Sequence, residues 1–150
     1  MISVRIYRAA RWLHLRRIPA LPWALKTINR IVFATVLPPQ SDIAPDVLLS
    51  YEGLGTVINR RAVIRSQAVI GTGVTIGGRS GIEGAPTIER GAMIGSGAKV
   101  LGPITIGEFA SVGANAVVMS DVPPYGVAVG MPARVVKINR PEDIPNYRDF

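Results

Sequence analysis

The stretch INRRAVIRSQAVIGTGVTIGGRSGIEGAPTIERGAMIGSGAKVLGPITIGEFASVGANAVV, residues 58–118, brings back an aliphatic side chain at every sixth position: Ile58, Ile64, Ile70, Ile76, Ile82, Ile88, Ile94, Val100, Ile106, Val112 and Val118. Neither the 3.6-residue period of a helix nor the alternation of a strand asks for that spacing, and a short fixed period is the signature of a solenoid. Four places after each of these residues the side chain is mostly small or aliphatic, at Ala62, Ala68, Val74, Ser80, Ala92, Ala98, Ile104, Ala110 and Ala116. A six-residue unit supplies a short strand and a corner, and three units close a triangular coil with its aliphatics on the axis. A lone coil leaves its backbone edges unpaired and its core half built, so coils become stable by stacking. Glycines fall where corners are due, among them Gly71, Gly73, Gly77, Gly78, Gly95, Gly97, Gly107 and Gly113, with Asn115 in an equivalent place. Both residue types tolerate the positive φ of tight corners. The fold expected is all-β, a parallel β-helix.

Working outward, Ile43 and Leu49 open the series, and Leu37-Pro38-Pro39-Gln40 reads as a linker. The step from Leu49 to Ile58 is nine positions, so three extra residues bulge from the coil within Ser50-Tyr51-Glu52-Gly53-Leu54-Gly55. Insertions in solenoids tend to sit on the functional face. Gly77 to Pro86 is too rich in glycine and polar residues for full strands, so Ile82 meets the hexad arithmetic by coincidence and lies in a loop. Downstream, Pro123-Pro124 remove the donors a further regular strand needs. Val127-Ala128-Val129 and Arg134-Val135-Val136-Lys137-Ile138 are then expected to make a last partial coil around Gly130-Met131-Pro132. The organisation expected is a leader over 1–36, the β-helix over 37–138, and a polar tail over 139–150, ordered against a neighbour.

The chain has 150 residues and no cysteine, which excludes a disulfide framework, a thiolate nucleophile and a zinc–thiolate site. His14 is its only histidine, so a multi-histidine metal site cannot be built within one chain. The net charge of +7 is unevenly placed: residues 1–40 carry Arg5, Arg8, Arg11, Arg16, Arg17, Lys26 and Arg30 with no acid, and the remainder is neutral. That leader reads as two short helices. Ile2, Ile6, Ala9 or Ala10, and Leu13 mark the apolar face of the first, Pro19 and Pro22 interrupt, and Leu25, Ile28, Ile31 and Val32 resume. No apolar run is long enough for a spanning helix, and no secretory signal pattern is evident. A cytoplasmic protein is expected. The leader is read either as a cap on the open end of the solenoid or a neighbouring subunit, or as that cap with added contact to an anionic membrane, peripheral on its inner face, because arginines beside Trp12, Trp23 and Phe33 suit the headgroup layer. Nucleic acid is disfavoured, since nothing in the solenoid continues the basic track.

The hexads, Thr75-Ile76-Gly77-Gly78, the run Ile94 to Pro103, the run Val112 to Val118, and Val129-Gly130-Met131-Pro132-Ala133-Arg134-Val135 together resemble the serine acetyltransferase branch of the hexapeptide-repeat acyltransferases. The basic leader, Leu37-Pro38-Pro39 and Gly53-Leu54-Gly55 look more closely like its short members associated with exopolysaccharide and colanic-acid biosynthesis. The resemblance implies a left-handed β-helix and a homotrimer with acetyl-CoA extended in the clefts between solenoids. By motif position, the pantetheine would run past Gly77, Gly97, Ala98 and Ala116, with Arg134 and Lys137 near the nucleotide phosphates. For these glycines and alanines the competing reading is corner geometry, and for Arg134 a simple surface charge.

The departures lie in the chemistry. The family's first-bulge histidine and its orienting aspartate fall on Glu52 and Tyr51, its second histidine on Ala85, and its carboxylate-binding arginine on Gly84. Three accounts follow. Glu52 could replace the base, its pKa raised by desolvation; Tyr51 or Asn59 could orient the acceptor while the base comes from elsewhere; or the chain is a non-catalytic relative that binds acyl-CoA or scaffolds a polysaccharide-assembly complex. The activity expected first is acetyl-CoA-dependent O-acetylation of a saccharide or lipid-linked saccharide precursor, with serine O-acetylation as the further alternative. A free amino acid needs a two-pronged grip on its carboxylate; a neutral sugar does not.

Overall fold

The computed structural model describes residues 1–144. Four stacked coils form a parallel β-solenoid. The first comprises β1 (Asp42–Ile43), β2 (Leu48–Leu49) and β3 (Val57–Ile58); the second β4 (Val63–Ile64), β5 (Val69–Ile70) and β6 (Thr75–Gly77); the third β7 (Thr87–Ile88), β8 (Met93–Ile94) and β9 (Lys99–Leu101); the fourth β10 (Thr105–Ile106), β11 (Ser111–Val112) and β12 (Val117–Val118). Like strands of successive coils pair in parallel, giving sheets in the orders β1-β4-β7-β10 and β3-β6-β9-β12, and a longer one running from β2 through β5, β8 and β11 to β13 (Gly126–Gly130) and β14 (Ala133–Ile138).

The register explains the hexad. Ile43, Ile64, Ile88 and Ile106 stack in one column, Leu49, Ile70, Ile94 and Val112 in a second, and Ile58, Ile76, Val100 and Val118 in a third. Each column is a ladder of aliphatics with its side chains almost wholly inside. The intervening residues Ala62, Ala68, Ala92, Ala98, Ala110 and Ala116 are equally buried, as are Val74 and Ile104 at the equivalent places.

Two irregularities interrupt the spacing. The bulge after β2 is a tight turn, Ser50–Gly53, whose Tyr51, Glu52 and Gly53 all have positive φ. The second is the loop from Gly78 to Pro86, in which Ile82 is 45% exposed and bridges back to Arg79. Ile82 is therefore outside the core, as the glycine-rich composition suggests.

Three expectations need correction. Leu37 is fully buried and Val36 pairs in parallel with Val57, so the supposed linker already belongs to the solenoid. Leu37 stands six residues before Ile43 and simply continues the hexad backwards. At the other end β14 folds back antiparallel on β13, making a hairpin and not a partial coil. In α1 (Ile2–Leu15) the packed face is Ser3, Val4, Tyr7 and Ala10, while Ile2 is 58% exposed. Polar groups hold that face: the Tyr7 hydroxyl donates to Ser41 O at 2.6 Å and accepts from Ile43 N at 3.2 Å, and Arg11 reaches Ser41 O and pairs with Asp42 at 2.7 Å. Thus α1 covers the start of the solenoid, and α2 (Leu21–Phe33) is joined to it by Asn29, whose amide donates to Ser3 O at 2.9 Å. Of the tail, Asn139 donates to Tyr125 O and a short turn spans Pro141–Asp143; residues 145–150 lie outside the described residues.

Candidate functional site

The bulge lies at the corner between the six-stranded sheet and the β3-β6-β9-β12 sheet, and the same corner recurs in every coil below it. Gly55, Gly73, Gly97 and Asn115 occupy it with φ of +70°, +65°, +75° and +57°. Backbone bonds carry the column downward: Gly73 N donates to Leu54 O at 2.8 Å, Gly97 N to Thr72 O at 2.7 Å, and Asn115 N to Ser96 O at 2.9 Å. At two of its glycines a side chain would crowd the coil below. A Cβ on Gly55 would meet the Gly73 Cα at 3.3 Å, and one on Gly97 would overlap the Asn115 amide oxygen. The outcome is a run of glycine corners that starts below Tyr51 and Glu52 and ends at Asn115, with the Lys99 ammonium donating to Gly73 O at 2.7 Å along it.

At the head of that run the structure gives Glu52 a partner the sequence does not advertise. Its carboxylate accepts from Ile2 N at 3.0 Å, Ser3 N at 2.8 Å and the Ser3 hydroxyl at 2.7 Å. The first turn of α1 has no side-chain cap of its own and no acid, so its orphan N–H groups and positive dipole end take their counter-charge from the bulge. Desolvation, the largest single influence, pushes the Glu52 carboxyl up. The Ser3 and Ile2 hydrogen bonds and the chain's amino group together outweigh it and hold the carboxyl below the usual glutamate range. A raised pKa, which a glutamate base needs, is the opposite of what this arrangement produces. Tyr51 projects into solvent, 85% exposed.

The remaining candidates fall into separate groups. Asn59 follows β3 at the next corner; its side-chain oxygen accepts from Arg61 N at 2.9 Å, and its amide nitrogen stands 3.5 Å from where a Cβ on Gly78 would lie, one residue past Gly77. Ala98 and Ala116 point into the core, and their backbone groups are taken up by the ladder: Ala98 O accepts from Thr75 N, and Ala116 O from Lys99 N. Any ligand they touch meets backbone, not side chain. Arg134 and Lys137 sit on the terminal hairpin. The Arg134 guanidinium turns to Ala133 O at 2.8 Å, while Lys137 lines a groove of about 250 Å³ with Met93, Ser111, Gly113, Val127 and Asp143. That groove is on the outer face of the six-stranded sheet, and Gly77 is on a different sheet.

Gly84, where a carboxylate-binding arginine is expected from the resemblance, has φ of +122°, and a Cβ there would lie 2.7 Å from the Pro103 Cβ. The position is closed to larger side chains. Among the described residues no cluster of histidine, cysteine or carboxylate side chains could hold a metal ion. The missed signal is Ser3: a serine in the first turn of a helix with no acid of its own asks for a distant anion, and the bulge carboxylate is that anion.

Comparison with known proteins matches residues 85–120 to the family described as bacterial transferase hexapeptide (six repeats). No curated protein matches the chain by sequence. Among solved structures, a serine acetyltransferase in complex with cysteine is 31% identical with a TM-score of 0.90, covering 99% of this chain and 58% of that one. A serine acetyltransferase in complex with CoA is 34% identical with a TM-score of 0.83 over 89% of this chain and 55% of its own. The soybean serine acetyltransferase apoenzyme is 39% identical with a TM-score of 0.84 over 89% and 56%. The chain spans a little over half the length of these proteins. The solenoid, the hexapeptide match and these likenesses together support the hexapeptide-repeat acyltransferase branch for this chain.

Proposed function

We propose that the protein is an acetyl-CoA-dependent O-acetyltransferase working as a homotrimer. The observation that carries the reading is the likeness over 99% of the chain to a serine acetyltransferase, with a CoA complex among the similar structures. The run of glycine corners below the bulge supports it, because an extended pantetheine arm can lie against backbone there, beside the Lys99 ammonium. Leu54 and Val57, 54% and 43% exposed beside the bulge, are suited to burial against a neighbouring solenoid. In this reading the glycine corners of one subunit and the Lys137 groove of the next line a shared cleft, and Glu52 shapes the bulge instead of accepting the acceptor's proton.

Serine is the acceptor that the names of the similar structures support. One observation favours a second reading, transfer to a saccharide hydroxyl in polysaccharide assembly: Gly84 is held against Pro103, so the paired grip on a free amino acid's carboxylate is missing at that place. The test measures CoA release from acetyl-CoA with serine and with a panel of sugars, alongside calorimetric CoA binding. Turnover of serine alone establishes the first acceptor, and turnover of sugars alone the second. Binding of CoA with no turnover of any acceptor points to a non-catalytic acyl-CoA-binding relative, and absence of CoA binding overturns the proposal.

A further inference from the structure

The apolar stripe of α2 is left on the outside, and α1 adds the exposed Ile2, Trp12 and Leu15. In α2, Leu21, Ala24, Ile28, Ile31 and Val32 recur at helical spacing, and Leu21, Ile28, Ile31 and Val32 are 48%, 44%, 77% and 63% exposed while Pro22 and Asn29 face inward. In α1 the inward face is the one joined by Ser3, Tyr7 and Arg11 to the bulge and the first coil, and Ile2 and Trp12 stay more than half exposed. Four exposed aliphatic side chains at helical spacing on α2, with Ile2 and Trp12 exposed on α1, exceed the scattered hydrophobes of an ordinary surface and call for an occupant.

Charge decides which. Of the seven basic residues in positions 1–40, Arg11 is spent on Asp42; Arg5, Arg8, Arg16, Arg17, Lys26 and Arg30 remain, with no acid in the leader. A second copy seated face to face would bring the same cations together, which opposes association. An anionic bilayer answers both features: apolar side chains enter the acyl boundary while arginine and lysine stay among the headgroups. The two tryptophans of the chain are placed for that boundary, each about half exposed under a cation, with the Arg16 guanidinium 3.9 Å from the Trp12 ring and the Lys26 ammonium 5.2 Å from that of Trp23. Among the described residues no helix is long and apolar enough to cross a membrane, so the helices lie in the interface.

We propose that α1 and α2 form a docking face for an anionic lipid bilayer, setting the solenoid at the membrane surface. The inference stands apart from the acetyltransferase reading and is tested without activity. Trp12 and Trp23 report it directly, being the only tryptophans. Full-length protein is titrated with phosphatidylcholine vesicles with and without phosphatidylserine, following tryptophan emission and flotation. Expected are a blue shift and flotation with the anionic vesicles only, weakening as ionic strength rises. Lys26→Gln and Arg30→Gln each weaken binding about fivefold. Ile28→Ser/Ile31→Ser abolishes the shift while far-ultraviolet circular dichroism stays that of the parent. Equal binding to both vesicle types, or binding to neither, overturns the proposal. So does self-association of the parent in the absence of lipid that the Ile28→Ser/Ile31→Ser variant loses, which assigns the face to a second copy.

Discussion

Replacing Glu52 by glutamine separates its two conceivable roles. The amide keeps one acceptor oxygen, so it can hold the Ser3 groups on Oε2 or the Ile2 N–H on Oε1 but not both, and it removes the negative charge at the N-terminal end of α1. At a helix terminus that charge contributes about 0.3–1 kcal/mol. Glu52→Ala removes the acceptor too, at about 0.5–2 kcal/mol, the range of a lost N-cap. In a chain of this length about 1 kcal/mol shifts Tm by roughly 2–4 °C, so at neutral pH the glutamine variant should melt up to a few degrees below the parent and the alanine variant lower still. The pH dependence has a definite sign. Folding holds the Glu52 carboxyl below its ordinary value, so the stability it contributes is fully present above the unfolded glutamate pKa of about 4.3 and is lost as pH falls through the depressed folded value. The gap in Tm between parent and Glu52→Gln therefore closes on acidification, as differential scanning calorimetry from neutral to acid pH will show. Acetyl transfer to whichever acceptor is turned over should stay near the parental kcat. A glutamine variant with parental Tm at neutral pH and transfer reduced by about 10²–10⁴, the loss expected of a general base, would refute the capping role and restore Glu52 as the base.

How much of this was legible in the sequence follows from what stacks and what does not. The columns through Ile64, Ile70 and Ile76 are legible because every coil must present an aliphatic at the same inward point, so the register is written once per hexad. The bulge announces itself because three extra residues break the count. The Gly78–Pro86 loop hides because its insertion equals one repeat, and only its composition betrays Ile82. The leader misleads for a different reason. Its apolar face is real but not the one that packs: Ser3 and Tyr7 are buried through hydrogen bonds, and hydrophobic spacing carries no information about such bonds. The Glu52 contact with Ser3 joins positions 49 apart, and no local pattern links them. The hairpin of β13 and β14 escapes notice because both strands are short aliphatic runs like those of a coil, and Gly130, at φ +95°, lets the chain reverse.

Three further changes test the fold and the acceptor. Ile94→Ala empties a fully buried place between Ile70 and Val112 and should cost about 2–5 kcal/mol in thermal or denaturant unfolding; a loss under about 1 kcal/mol would mean the column is not tightly packed. Tyr7→Phe strips the hydroxyl that bonds Ser41 O and Ile43 N; Ser41 O keeps Arg11, and Ile43 N is left unpaired at about 1–3 kcal/mol of stability. Burial raises the Tyr7 pKa, so the parent, but not the variant, should lose stability as pH climbs through that raised value. The last change is Gly84→Arg, which puts back the residue type that a carboxylate clamp calls for. At φ +122° a side chain costs about 1–3 kcal/mol in backbone strain, and the new Cβ meets Pro103 at 2.7 Å, so the loop must move before any guanidinium can reach an acceptor. Expected are a lower Tm and no gain in kcat/KM for serine, because the arginine arrives on a displaced loop with its reach misdirected. If instead KM for serine falls while Tm is unchanged, the loop accommodates arginine at no cost, the contact with Pro103 does not govern acceptor choice, and the case for a saccharide acceptor loses its structural support.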